Sequence, residues 1–306
     1  MMKNIHNAFT TALLMAVLAL AASCEKASLS DMTGKDGGEP NLVLRVVTTG
    51  NEAMTRADGE TAWNRLCFVV YQNGQKVKGV NQKVGDTGYG QAELTLEAGT
   101  YQVLVMAHSS DGNPTTTTAE KIQFTNAMGF TDTFYYYGSI TVTGQKQTHN
   151  ITLNRVTALL RFIINDDMPE RVTNLKFYYT GGSGALNATT GVGCVDSKQT
   201  VIRVVDRTSM TRPYTFDLYT IPKENTARLN LTVTAYDEAQ TAIYERSFKG
   251  VEVQVNRITE FSGDFFTTEP TPGGEEPQGG EETTAGNDIF LISANTEWAG
   301  VITQTY

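Results

Sequence analysis

The sequence predicts an all-β protein of two sandwiches in tandem, followed by a linker and a C-terminal strand segment. Three observations predict it. The apolar runs are short, β-branched or aromatic, and alternating. Tight-turn residues such as Asn73-Gly74 and Ala98-Gly99 lie between them. Beyond the first 23 residues no segment carries a long apolar helical period.

Residues 1–23 read as a secretory leader. Lys3 is the only Lys, Arg, Asp or Glu in this stretch, and 8–22 is rich in Ala, Leu, Met and Val. The run ends in small residues and is too short for a spanning helix. Leu20-Ala21-Ala22-Ser23-Cys24 suits a lipoprotein, with acylated Cys24 as the new N-terminus, although its leucine sits one place further from the cysteine than is commonest. Ordinary secretion with an incidental Cys24 is the alternative. Several acyl chains together hold a protein stably where one holds marginally. Residues 24–40 form a tether.

The first sandwich is expected over 41–153. Strand 41–48 puts Leu42, Leu44 and Val46 on one face. Strands follow at 65–71, 91–96 and 100–107. In the last, Tyr101, Val103 and Val105 share one face and Leu104 and Met106 the other, which marks a strand in the middle of a packed sheet. The polar stretch 111–118 reads as a surface loop. A strand begins at 134–137, and another follows at 149–153. His108 and His149 stand at strand ends beside polar residues and read as satisfied surface histidines.

The second sandwich is expected over 154–266. Its strands are 158–164, 172–180, 200–205, 214–221, 227–236, 242–249 and 251–255, with a turn over 165–170. Residues 229–235 alternate apolar and polar, so one face packs inward and the other meets water. Composition then changes to Thr, Glu, Pro and Gly over 267–286, a flexible linker that cannot bury enough apolar surface to fold. Residues 287–306 return to strand-forming sequence, with one strand at 288–293 and a second over 298–303.

Charge and composition exclude several functions. The formal net charge is −9, and loss of Lys3 with the leader makes the chain more acidic still. Nucleic acid and anionic membrane both select basic surfaces, so attachment to a membrane would rest on the lipid. Cysteines other than Cys24 are Cys67 and Cys194, far apart in sequence, and either a disulfide or two buried thiols is compatible with that. No Cys or His pair has metal-ligand spacing, and no Gly-rich phosphate loop follows a strand. Asp166-Asp167 and Glu275-Glu276 are adjacent carboxylates, best explained as a solvated turn and a linker. The reading is therefore non-enzymatic, with no cofactor and no metal.

A tethered apolar strand is a device for strand addition, filling a groove on its own sandwich or on a neighbouring copy. The stretches Asn154-Arg-Val-Thr-Ala-Leu-Leu-Arg-Phe162, Lys176-Phe-Tyr-Tyr-Thr-Gly-Gly-Ser183 and Thr190-Gly-Val-Gly-Cys-Val-Asp-Ser-Lys-Gln199 resemble the FimB-type fimbrial subunit family. These lipoproteins are allied to the fimbrillins of type V fimbriae in Gram-negative anaerobes. The resemblance implies two transthyretin-like sandwiches and a lipid-anchored place at the outer membrane, in a cell-surface fibre, as anchor or minor subunit ahead of stalk. It implies other fimbrial subunits as partners through strand addition.

It also implies roles for particular residues. In polymerising members an arginine-specific protease cuts after a first strand and opens a groove, and Met54-Thr-Arg-Ala57 matches such a cut. Arg56 would be the processing site and Ala57 the new N-terminus, against a plain solvated arginine. Leu42, Leu44 and Val46 would plug or form the groove. Ile289, Leu291 and Trp298 would be the donor contacts, unless 287–306 folds back onto its own second sandwich. A host or bacterial surface ligand is left open. The alternative function is a glycan-binding outer-membrane lipoprotein of a nutrient-uptake system, with Tyr135, Tyr136, Tyr178 and Tyr179 as its platform.

Overall fold

The computed structural model describes residues 39–47, 63–267 and 298–305. They form a nearly all-β architecture, as the alternation predicts.

The first half of the chain supplies two facing sheets. One has the order β4-β1-β9, with β1 (Leu42–Val46) between β4 (Gln91–Leu94) and β9 (Gln147–Ile151). The other has the order β10-β8-β5-β2-β3, from β10 (Asn154–Arg155), β8 (Phe134–Val142), β5 (Gly99–His108), β2 (Arg65–Gln72) and β3 (Gln75–Lys83). The β2–β3 turn is at Asn73-Gly74, where both residues take positive φ, as a primed hairpin turn requires. Leu42, Leu44, Phe68, Val103, Val105 and Ile151 belong to the core these sheets enclose.

The second half repeats the plan. The order β16-β11-β19-β20 comes from β16 (Tyr214–Thr220), β11 (Ala158–Ile164), β19 (Ile258–Gly263) and β20 (Val301–Thr305). The order β15-β12-β17-β18 comes from β15 (Gln199–Val204), β12 (Asn174–Thr180), β17 (Thr226–Tyr236) and β18 (Ala242–Gln254). Phe162 is the centre of this core, with Phe177, Phe248, Phe261 and Phe265 at centroid distances of 5.6 to 6.2 Å. Such tilted and edge-on pairs add to the burial of the rings.

A third core lies against the outer face of β2 and β5. Cys67, Val69 and Tyr71 meet it, whereas Leu66, Phe68 and Val70 point into the first core. Leu104 and Met106 likewise oppose Val103 and Val105. The two-sided apolarity of these strands is thus the period-2 alternation of a sheet covered on both faces. The cover is a small sheet, β14-β13-β7-β6, made from both halves of the chain. In it β7 (Lys121–Gln123) and β6 (Thr115–Thr118) pair, and β13 (Ala185–Asn187) joins β7 and β14 (Val192–Gly193), with Leu186 opposite Ile122.

Several expectations are corrected. Residues 115–118 are not open loop: Thr116 is buried, and its hydroxyl accepts from Lys76 Nζ at 2.8 Å. A run of β-branched threonines fits a pleated ladder. His108 is a core residue, because β5 runs one residue further and pairs it with Arg65. Burial, then the charge of Arg65, lowers its pKa to about 4. His149 is half-buried, with Nε2 enclosed and without a partner. Asp166 is buried, while Asp167 is exposed and pairs with Arg212. Strands expected at 242–249 and 251–255 are one, because Gly250 at φ 71 admits a bulge opposite Asn230.

Candidate assembly site

The first candidate is β1 itself. It pairs antiparallel with β4 and parallel with β9, so both of its backbone edges are bonded. Asn41 fastens its entry: the side chain donates to the Leu96 carbonyl at 2.8 Å and accepts the Leu96 N–H at 3.0 Å. Val46 and Val47 donate to Gly90 and Ile151 carbonyls at its exit. Leu42 and Leu44 are fully buried, and Val43 and Val46 nearly so. Burying four such side chains contributes roughly 6–12 kcal/mol. Ordering five residues costs about 1–2 kcal/mol each. Taken away, β1 would leave an apolar slot between β4 and β9, floored by the first core.

The second is the junction of the two halves. Arg155, on the short strand β10, forks onto Asp132 with Nε–Oδ1 2.8 Å and Nη2–Oδ2 2.9 Å. Their side chains are 2% and 5% exposed. The Thr157 hydroxyl donates to Asp132 Oδ1 and accepts the Thr133 N–H. Arg155 Nη1 donates to Asn256 Oδ1 at 2.8 Å, so one guanidinium ties 132, at the end of the first half, to the β18–β19 turn of the second. Its flat face lies 4.6 Å from the Phe134 ring centroid and 3.9 Å from that of Trp298. A buried, bidentate fork of this kind is a task for Arg and not for Lys.

The third is the tail. The Asp166 carboxylate accepts the backbone N–H groups of Phe265, Phe266 and Thr267, at 2.6 to 2.9 Å. Burial opposes its charge, but the N–H donors of Phe265, Thr267 and Phe266 outweigh it and bring the pKa below the usual value. After residues 268–297 the chain is described again at Trp298, whose ring stacks on Tyr219 at 6.4 Å between centroids. Ala299 N–H then donates to the Asn256 carbonyl, and β20 adds in parallel to the edge of β19, with Ile258 opposite Val301.

The sequence-predicted residues are thus divided. Leu42, Leu44 and Val46 stand together on β1. Trp298 stands on the chain's own junction with the strand after it folded back, which is the arrangement held open against donation. Cys24, Arg56, Ala57, Ile289 and Leu291 lie outside the described residues. Cys67 and Cys194 are both free; Cys67 is buried, with a thiol pKa pushed up to about 12 by burial, and Cys194 is exposed. Of the four tyrosines offered as a platform, Tyr179 is fully buried and donates to the Tyr219 carbonyl. Tyr135 and Tyr136 pack against different cores, and Tyr178 is half-buried on β12.

Residues 35–284 match the family of fimbrillin-A associated anchor proteins Mfa1 and Mfa2. No curated protein matches the chain. Among solved structures it is similar to a candidate adhesin from Bacteroides ovatus ATCC 8483, at 13% identity over 70% of this chain and 84% of that one, with TM-score 0.48. It is similar to a candidate polysaccharide-binding protein from Bacteroides thetaiotaomicron VPI-5482, at 15% identity over 68% and 80%, with TM-score 0.44. It is also similar to the fimbrial anchor protein Mfa2 from Porphyromonas gingivalis, at 14% identity over 69% and 82%, with TM-score 0.40.

Proposed function

This chain belongs to the family of fimbrillin-A associated anchor proteins, and on that premise we propose that it is a lipid-anchored anchor or minor subunit of a type V cell-surface fimbria. The family match carries the reading, since it runs through both large cores. That family is structural, which fits a non-enzymatic part in a surface fibre. The finer roles are proposals. Two sandwiches, 41–153 and 154–266, form the body, with the boundary strand β10 at 154–155 pairing into the first. Acylated Cys24 holds it at the outer membrane, and other fimbrial subunits join through strand addition.

In an anchor the lipid must stay attached, so Arg56 is left uncut and β1 remains a permanent strand. The central place of β1 in its sheet supports this, because its loss would open the first core. The segment holding Ile289 and Leu291 is the donor proposed for a neighbouring subunit. Intact and N-terminal mass spectrometry of sheared fibres and of the outer-membrane fraction tests the reading. A chain starting at acylated Cys24, found with fibres at the membrane, supports an anchor. A chain starting at Ala57 in sheared fibres replaces that role with a polymerising one. Absence from fibres overturns the fimbrial reading.

A further inference from the structure

Each end of the body is a strand held inside a sheet. β1 lies between β4 and β9 and runs parallel to β9, in register from Leu42 opposite Gln147 to Val46 opposite Ile151. β19, the last strand before the expected linker, lies between β11 and β20 and runs parallel to β11, from Ile258 opposite Leu159 to Gly263 opposite Ile164. The two strands leave the body at opposite ends. Asn41 enters beside Leu94 and Gln147, and β1 runs from there toward the junction, since Val46 is opposite Ile151 just before β10. β19 starts at the junction, where Asn256 N–H donates to the Thr157 carbonyl, and ends at the far side of the second sandwich.

Both exits are fastened. The Asn41 side chain bonds the Leu96 N–H and carbonyl at one end, and Asp166 accepts the N–H groups of 265–267 at the other. Between them the halves are tied by Arg155, which reaches both Asp132 and Asn256, and by the small sheet in which β13 joins β7.

Ladder bonds lie across the strands, so a pull along a strand loads them together, whereas a pull across it opens them pair by pair. A slip of one residue is opposed as well, because it exchanges the two faces of a strand. Pulled toward its N-terminus, β1 would carry the exposed Arg45 into the core position of Leu44. Pulled toward its C-terminus, β19 would carry Glu260 into that of Phe261.

We propose that the body is a tension-bearing link, in which β1 and β19 are clamps against a lengthwise pull applied at Asn41 and Thr267. The source of the tension rests on the proposed anchor role, with the lipid pulling at one end and the fibre at the other. The resistance belongs to the chain alone.

Single-molecule force spectroscopy tests it on the full chain carrying Cys24→Ser and Cys194→Ser, with handles on pairs of introduced cysteines. Glu39→Cys with Thr268→Cys pulls lengthwise. Glu39→Cys with Gln145→Cys pulls β1 away from the start of β9, and Asp167→Cys with Thr268→Cys pulls the end of β19 away from that of β11. Glu39, Gln145 and Asp167 are all exposed. Unfolding under force reports the unfolding rate. At equal force the lengthwise pair should unfold roughly tenfold or more slowly than either crosswise pair, a factor that two ladder bonds broken together already supply. A lengthwise rate no slower than the crosswise rates would overturn the clamps and leave the anchor reading standing. Absence of the chain from fibres would instead remove the source of the tension and leave the measured resistance standing.

Discussion

Replacing Arg155 by Met removes the group on which the junction converges, and the structure sets the size of the effect. Asp132 would keep only the Thr157 hydroxyl as a partner, in a site where its side chain is 5% exposed. Leaving one member of a buried ion pair unpaired costs about 3–5 kcal/mol. Asn256 Oδ1 also loses its donor, which adds to the cost. Replacing both partners, Asp132→Leu with Arg155→Met, removes the stranded charge and should recover most of the loss. A remainder of about 1–2 kcal/mol is expected, because the Thr157 hydroxyl then has no acceptor. Urea unfolding followed by circular dichroism measures both variants and Asp132→Leu alone. With a slope of roughly 3 kcal/mol/M the Arg155→Met midpoint should fall by about 1–2 M. Additive losses, with the double variant as weak as the sum of the singles, would show that the pair is not coupled and would refute the reasoning.

Leu44→Ala opens a cavity at the centre of β1 and should cost about 2–5 kcal/mol in chemical unfolding, where an unchanged midpoint would mean that β1 is not part of the core. His108 is held neutral, so its contribution is complete above pH 6.5 and is lost as the pH falls toward 4, because the unfolded imidazole takes up a proton first. That loss is roughly 3 kcal/mol, and His108→Gln should flatten the stability profile between pH 7 and 4. For Asp166 the folded pKa is depressed, so its contribution is present above about pH 4 and disappears as the pH falls through the folded value. Asp166→Asn should cost about 1–3 kcal/mol at pH 7 and progressively less as the pH falls through the folded value, with faster amide exchange at 265–267 as the local readout.

What the sequence made legible follows from what alternation encodes. Period-2 patterning reports which side chain shares a face with which, and it placed Leu42, Leu44 and Val46 together and both faces of 100–107 in apolar surroundings. It does not report which sheet supplies the second cover, so the small sheet shared between the halves was invisible. Its strands are two to four residues long, too short for a period to appear. The histidine and Asp166 were misread because neighbouring polar residues suggested solvent. His108 is instead enclosed by Cys67 and Phe124, and Asp166 by chain 99 to 101 residues away. Arg155 and Asp132 carried no local signal either, since a buried ion pair is a property of two positions brought together by the fold.

The tail is placed by the same kind of distant contact. β20 orders five residues at about 1–2 kcal/mol each, against ladder bonds worth about 0.5–1.5 kcal/mol apiece and side chains that remain largely in water. Those terms nearly cancel, so the strand is held by what lies at its start: Trp298, pressed on a cation that is already fixed. That cation is itself held bidentately by Asp132, so the placement of the tail depends on an ion pair formed by positions far from it in sequence.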